Sequence, residues 1–242
     1  MANLLVDIGY TALKATWADG ITLGKTFRYQ GERTYDFISG LIKKNRPEMI
    51  VISSYAEISG QFAEKLRKSC NNLIIIDSSR RNILSEMSLP ECLTADRAAA
   101  VIACRYLFKG RGCTLFDLGT MMTVDFLDAE GNYEGGNISL GCRTRFKSVN
   151  RYSKTFPLLD TPEDFADMGD SVESSVSSGI MVGMKYEIEG YIAKYPENIV
   201  IFTGGDANYF SKIMKNPIFV VCNLVLMGLA LIAEKYDNKE NI

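Results

Sequence analysis

Residues 6–11 read VDIGYT and residues 116–121 read FDLGTM, so one pattern, an apolar strand followed by Asp-x-Gly, occurs twice in the chain. Asp7 and Asp117 are 110 residues apart, and Gly9 and Gly119 follow them at the same spacing. After each copy the sequence predicts a second strand, a Gly-containing turn and a third strand. Duplication of one structural unit is the economical explanation.

The segments around each copy predict alternating strands and helices. In the first half we expect strands at 3–8, 12–18, 22–29, 49–52 and 73–76, and helices at 34–44, 58–69 and 94–108. In the second half we expect strands at 113–116, 121–128, 133–139, 198–202 and 218–221, and helices at 142–151, 172–193, after 206, and up to 235. Such alternation indicates sheets covered by helices. We expect two lobes, residues 1–110 and 111–242.

Composition narrows the class of protein. The 242 residues are 47% hydrophobic and 23% charged, with 27 Lys and Arg against 29 Asp and Glu, so no net field favours nucleic acid or an anionic membrane. The N-terminal MANLLVDIGY has no basic n-region, which predicts a cytoplasmic protein. The apolar run 218–233 is interrupted by Asn223 and Gly228, so we interpret it as buried rather than as a membrane span.

Some chemistries are excluded by the residues themselves. The chain has no histidine, which removes the usual general base and any Ser-His triad. Its six cysteines form no C-x-x-C pair, so they give no zinc or disulfide signature. Acid–base chemistry must therefore use a carboxylate, Lys, Tyr or Cys.

The two Asp-x-Gly turns predict a nucleotide site. Glycine lets the backbone approach phosphate oxygens, and the Asp can hold the magnesium of Mg-ATP through water. A third Gly-rich turn, Thr203-Gly204-Gly205-Asp206, follows another apolar strand. Together the three turns predict a three-part nucleotide cleft. For Lys14 two interpretations stay open, a phosphate contact or a solvated strand residue.

Several motifs extend this pattern along the chain. They are DIGYTALK (7–14), TADRAAA (94–100), DLGTMMTVD (117–125), GGNISLGCRTRF (135–146), GDSVESSVSSG (169–179) and FTGGDA (202–207). In order and spacing the series resembles type III pantothenate kinase over essentially the whole chain. The resemblance implies an α/β, duplicated, two-lobed actin-like (ribonuclease H-like) ATPase fold.

The resemblance also implies an activity and a set of contacts. The expected reaction is the ATP-dependent phosphorylation of pantothenate to 4'-phosphopantothenate, the first step of coenzyme A synthesis. The expected cofactors are Mg²⁺ with ATP and a monovalent cation, K⁺ or NH₄⁺; a homodimer is expected, with no nucleic acid or membrane partner. The implied ATP-binding residues are Asp7, Ile8, Gly9, Tyr10, Thr11, Ala12, Leu13, Lys14, Thr120, Gly204 and Gly205. The implied substrate-binding residues are Met87, Thr94, Ala95, Asp96, Arg97 and Val172.

Three aspartates receive specific roles from the resemblance. Asp96 matches the base that deprotonates the pantothenate hydroxyl, Asp117 the ligand of the monovalent cation, and Asp7 the magnesium ligand acting through water. Phosphoryl transfer to an alcohol does need a proton acceptor, and Arg97 and a helix N-terminus would keep Asp96 ionised. The alternative is that Asp96 only caps the helix.

Five residues depart from the family pattern. Tyr10 replaces Asn, Met87 replaces Tyr, Thr94 replaces Gly, Leu140 replaces Pro, and Val172 replaces Thr. The lost polar groups keep two alternatives open. One is a degenerate nucleotide-binding relative with weak or no kinase activity, and the other is a kinase for a different small alcohol. The helix 172–193 is a candidate dimer interface.

Overall fold

A computed structural model describes residues 2–43 and 45–240, with side chains described up to residue 237. Residues 1, 44, 241 and 242 lie outside the described residues; residue 44 falls within the predicted first helix, and the others fall at the ends of the two predicted lobes. The chain divides into two compact units. The first contains the chain up to Leu107 and again from Asn223, and the second runs from Phe108 to Cys222.

The first unit is a five-stranded sheet with helices. Its strands are β1 (Asn3–Ile8), β2 (Leu13–Asp19), β3 (Thr22–Tyr29), β4 (Met49–Ser54) and β5 (Asn72–Ile76), and its first four helices are α1 (Thr34–Ile42), α2 (Gly60–Arg67), α3 (Asn82–Glu86) and α4 (Ala95–Leu107). The strand order is β3-β2-β1-β4-β5. Strand β4, MIVISS, is buried along its whole length, as expected of a strand inside a covered sheet.

The second unit repeats this arrangement. Its elements are β6 (Cys113–Leu118), β7 (Met121–Leu127), β8 (Tyr133–Leu140), α5 (Cys142–Tyr152), α6 (Val172–Lys194), β9 (Ile199–Thr203), α7 (Ala207–Ile213) and β10 (Ile218–Val220). The order β8-β7-β6-β9-β10 matches that of the first sheet, strand for strand. In both sheets the first two pairings along the chain are antiparallel and the other two are parallel. The two sheets therefore have one topology, as the repeated motif predicts.

The register of the two sheets agrees at the paired aspartates. Asp7 is opposite Ser53 on β4, and Asp117 is opposite Thr203 on β9. The hairpins differ by one residue, because Asp7 pairs with Lys14 whereas Asp117 pairs with Thr123. The first turn is thus one residue longer than the second.

The last helix, α8 (Leu224–Glu240), packs against α4 and β1. A side chain at Gly228 would overlap the Ala99 carbonyl, so the close approach depends on small residues in both helices. The predicted lobe 111–242 includes this helix, whereas its contacts are with the first unit. The reason is tertiary: its partners lie far away in sequence and no local pattern indicates them.

The helix and strand bounds otherwise lie close to the predicted ones. Helix α3 was not predicted, since its five residues NILSE are too short to show periodicity. None of the helices in the described part of the chain combines the length and the apolar character that a membrane span requires.

Candidate active site

The first Asp-x-Gly turn links β1 to β2. The Gly9 amide donates to the Ala12 carbonyl at 3.1 Å, and a side chain at Gly9 would lie 3.2 Å from that oxygen. A side chain would thus crowd the Ala12 carbonyl, and the Gly9 N–H closes the turn. Ile8 and Leu13 end and begin the flanking strands.

Tyr10, at the tip of this turn, stacks on Tyr55. The ring centroids are 4.3 Å apart with an interplanar angle of 30°, and both rings are exposed. The Tyr55 amide donates to the Ile8 carbonyl at 3.2 Å, which fixes the segment after β4 beside the turn. Where the family pattern has a small amide, this chain therefore carries a solvent-facing pair of aromatic rings.

Asp7 lies near the end of β1, close to one hydroxyl group and two other charged side chains. The Ser53 hydroxyl donates to Asp7 Oδ1 at 2.7 Å. Burial raises the pKa of Asp7 to about 6; the Ser53 hydrogen bond lowers it, the nearby charge of Asp96 raises it, and Lys14 lowers it. The structure therefore brings Asp7, Lys14 and Asp96 within electrostatic reach of one another.

Helix α4 presents the predicted substrate residues at its first turn. The Thr94 carbonyl accepts the Ala98 N–H at 2.9 Å, so Thr94 is the residue that precedes the helix proper. Asp96 is half-buried, and its Oδ1 accepts the Arg97 N–H at 2.9 Å. Ala95 and Arg97 are buried, so Arg97 carries its charge inside the protein.

Met87 is held at the other end of the same helix. The Arg105 guanidinium donates to the Met87 carbonyl at 2.8 Å, and the Lys235 ammonium donates to the Met87 sulfur at 3.2 Å. Arg105 is nine residues along α4 from Asp96, a rise of about 13 Å. The side chains that hydrogen-bond to Met87 are therefore those of Arg105 and Lys235 rather than that of Asp96.

The second Asp-x-Gly turn is supported from the start of α5. The Gly119 amide donates to the Met121 carbonyl at 3.1 Å, and the Gly141 amide donates to the Thr120 carbonyl at 3.1 Å. The Thr144 hydroxyl donates to the same Thr120 oxygen at 2.6 Å. The carbonyl of Thr120 is thus held by two donors, which fixes the tip of the turn.

The third Gly-rich turn lies against the second. The Asp206 amide donates to the Leu118 carbonyl at 2.9 Å. Gly204 has φ +93°, and a side chain there would overlap both Asp117 Oδ1 and the Leu118 carbonyl. Gly205, by contrast, faces open space. The structure therefore brings Asp117, Gly119 and Gly204 together within the second unit.

The remaining predicted substrate residue, Val172, is the first residue of α6 and is half exposed. Ser171 caps this helix by accepting the Ser174 N–H at 3.1 Å. Val172 belongs to the second unit, whereas Asp96 belongs to the first.

Ser53 and Thr144 are two residues of the site that were not predicted. Each is one hydroxyl in an ordinary strand or helix, and its importance appears only when the register or a turn carbonyl places a partner opposite it. For Ser53 the signal available was a small polar residue ending a buried strand; for Thr144 it was a place within the motif 135–146.

Comparison with known proteins gives a consistent result. The model of the family described as Type III pantothenate kinase matches residues 3–194. A protein named Type III pantothenate kinase from Bacteroides fragilis is 32% identical over 241 residues, covering 98% of this chain and 98% of that protein.

Solved structures show the fold. The activator of the 2-hydroxyisocaproyl-CoA dehydratase from Clostridium difficile with bound ADPNP has a TM-score of 0.59 at 12% identity, covering 100% of this chain and 98% of the other. MreB 5 of Spiroplasma citri bound to AMPPNP has a TM-score of 0.54 at 11% identity, covering 99% and 98%. The predicted fold class, a duplicated actin-like ATPase fold, is confirmed.

Proposed function

The chain belongs to the type III pantothenate kinase family, and from that premise we propose that it transfers the γ-phosphoryl group of ATP to pantothenate, giving 4'-phosphopantothenate. This is the first step of coenzyme A synthesis. The observation that carries the proposal is the position of Asp96, a half-buried carboxylate on the first turn of α4, within electrostatic reach of Asp7.

Asp96 is the proposed proton acceptor. Phosphoryl transfer proceeds through a loose transition state in which the acceptor hydroxyl loses its proton to a positioned base. The chain has no histidine, so a carboxylate is the natural base. The Arg97 N–H holds one oxygen of Asp96 at 2.9 Å, which fixes the direction of the carboxylate. Buried Arg97, with Thr94 and Ala95 beside it, is the proposed binding wall for the substrate.

Asp7 is the proposed anchor for Mg²⁺ of Mg-ATP, through water. Asp7 fits this role. Burial and the nearby charge of Asp96 raise its pKa to about 6, so a nearby cation would strongly stabilise the ionised carboxylate. The bound metal supplies charge neutralisation on the phosphates. The proposed phosphate contacts are the two tight turns and the Gly204-Gly205 segment. Lys14 follows the first turn at the start of β2, and Thr120 lies in the second turn.

Asp117 is the proposed ligand of a monovalent cation, K⁺ or NH₄⁺. The support for this role is that Asp117 stands in the motif 117–125 of the family to which the chain belongs. We also propose a homodimer, with α6 as a candidate interface because it exposes Tyr186 and Val172.

The test is phosphopantothenate formation by the purified protein with ATP, Mg²⁺ and K⁺. Asp96→Asn should lower kcat by a factor of about 10² to 10⁴ while ATP binding, measured by calorimetry, stays within about twofold of wild type. Asp36→Asn, an exchange in α1, is the matched control and should leave kcat unchanged.

Two outcomes would contradict the proposal. ATP binding without transfer to any small alcohol would identify a degenerate relative. Transfer to another hydroxylated acceptor, with pantothenate inert, would identify a kinase of different specificity, as the changes at Met87 and Val172 suggest.

A further inference from the structure

Strand β5 forms one edge of the first sheet. It pairs in parallel with β4, and no described strand lies on its other side. The Asn72 amide donates to the Glu48 carbonyl at 3.0 Å, so Asn72 directs its backbone groups toward β4. Successive residues of a strand direct their N–H and C=O groups to opposite edges, so those of Leu73 and Ile75 point away from the sheet. Such an edge is a template for a further strand.

A cavity lies along this edge. Its volume is about 340 Å³, and its lining includes Leu73, Ile74 and Ile75. Side chains of consecutive strand residues point alternately to the two faces of a sheet, so a cavity that touches all three lies beside the strand rather than over one face. Arg67 of α2 and Tyr236 of α8 complete its walls. We call this cavity the β5 groove.

The other edge strands of the two described sheets discourage pairing. Strand β10 has three residues, and β8 contains Gly135 at φ +136°. Strand β3 carries Gly24, Lys25 and Arg28. Short strands, glycines and charges are the usual protections of an exposed edge. Strand β5 instead reads NLIII, and its first four residues are only half-buried, so it is an apolar and open edge.

The charge beside the groove is positive. Residues 65–81 contain five Lys and Arg and one acidic residue, Asp77, and none of the described lining residues of the groove is acidic. Asp77 is paired with Arg80. Arg67 is the exposed last residue of α2 and makes no salt bridge within the described part of the chain. A carboxylate in the groove would complement Arg67.

The turn that ends the groove is preformed. One oxygen of the Asp77 carboxylate accepts the Ser79 N–H at 3.0 Å and the Arg80 N–H at 2.9 Å. The other oxygen accepts the Ile58 N–H at 2.9 Å. The chain after β5 is therefore held in place before anything binds, which lowers the ordering cost of adding a strand.

We propose that the open edge of β5 binds an extended, acidic segment of a partner protein, which adds to the first sheet beyond β5 and places a carboxylate against Arg67. Main-chain hydrogen bonds to Leu73 and Ile75 supply the pairing, and the half-buried apolar side chains of β5 supply the contact area. The β5 groove shares no residue with the candidate active site, so this inference does not depend on the proposed phosphoryl transfer.

The first experiment tests charge. Binding of the labelled peptide Glu-Ile-Glu-Val-Asp-Ile-Glu-Val is followed by fluorescence anisotropy at low salt, where screening is weak. We expect saturable binding, and at least about fivefold weaker binding when Lys replaces every acidic residue of the peptide. Arg67→Glu should reverse this preference, whereas Lys215→Glu, an exposed exchange in the second unit, should stay within about twofold of wild type. No saturable binding by wild type, or an unchanged preference in Arg67→Glu, would overturn the proposal.

The second experiment tests backbone pairing. The same peptide N-methylated at its four central residues keeps every charge but cannot donate main-chain hydrogen bonds, so its affinity should fall at least about tenfold. Saturating unmodified peptide should slow amide hydrogen exchange of Leu73 and Ile75 at least about tenfold, while exchange of the Ile74 amide, which faces β4, should change little. Equal affinity of the methylated peptide would show a general anion surface and would overturn the proposal.

A second copy of the chain is the competing occupant of this edge. Sedimentation velocity of wild type and Arg67→Glu, without peptide, distinguishes the two. We expect the same oligomeric state for both proteins. A change of state in Arg67→Glu would show that the edge is used between copies of the chain, and would overturn the proposal of an acidic partner.

Discussion

Replacing Asp7 by Asn should make the protein more stable at neutral pH and less active. The pKa of Asp7 is raised from 3.8 to about 6, so the folded state holds this proton more tightly than the unfolded chain does. The stability that this contributes is fully present below about pH 4 and is lost as pH rises through about 6. A shift of about two pH units corresponds to at most about 3 kcal/mol. Asn carries no charge at any of these pH values and still offers Ser53 an acceptor.

The assay is urea unfolding of wild type and Asp7→Asn, without Mg²⁺, at pH 4.5 and pH 7.5. We expect Asp7→Asn to be more stable than wild type by about 1–3 kcal/mol at pH 7.5, and by much less at pH 4.5. Adding Mg-ATP should narrow the gap at pH 7.5, because only the carboxylate gains from the cation. Asp19→Asn, at an exposed strand end, is the control and should change stability by less than about 0.5 kcal/mol.

Two results would refute this reasoning. One is an Asp7→Asn protein that is less stable than wild type at pH 7.5, which would mean that the carboxylate makes favourable contacts that outweigh its burial. The other is a stability difference that does not change between pH 4.5 and pH 7.5. A gain in stability with a loss of phosphoryl transfer would identify Asp7 as a site kept charged for function.

Two glycines allow matched tests of close packing. Gly204→Ala should lower the free energy of unfolding by urea by more than about 2 kcal/mol, because Gly204 has φ +93° and a methyl would overlap the Asp117 carboxylate. The control Gly205→Ala, in open space, should lower it by less than about 1 kcal/mol. Equal losses of stability in the two variants would contradict this geometry. Gly228→Ala should destabilise the protein by more than about 2 kcal/mol in thermal or urea unfolding, because the added methyl would separate α8 from α4. The control Gly183→Ala, also in a helix but in open space, should stabilise the protein by about 0.5–1 kcal/mol. A Gly228→Ala protein as stable as wild type would show that the two helices are not in close contact at this residue.

The parts of the fold that sequence predicts are those fixed locally. The two hairpins after Asp7 and Asp117 follow from apolar alternation broken by Gly-containing turns, and both appear in the structure. The five-residue helix α3 was not predicted, because a single helical turn has no period to detect. Assignment of α8 to the first unit depends on contacts with α4 and β1, and no local pattern carries that information.

In the candidate site, too, the residues that stand in sequence motifs were predicted, and those that depend on long-range pairing were not. Asp7, Asp96 and Asp117 stand in motifs and were predicted from them, and their roles stay predictions. Ser53 was not singled out, because it matters only through strand register, which places it opposite Asp7. Register comes from long-range pairing, so a small polar residue at the end of a buried strand does not by itself indicate which residue it will face.

The return of the chain to the first unit has a consequence for synthesis in the cell. The chain leaves the first unit after Leu107 and re-enters it at Asn223, so the ribosome must translate all of residues 108–222 before α8 appears. At about 5–20 residues per second this takes roughly 6–23 s. During that time the nascent first sheet lacks the helix that packs on β1 and β4, and the second unit receives its last residue before the first unit does. The half made first is therefore completed last, and it is the half in which we expect chaperones to bind.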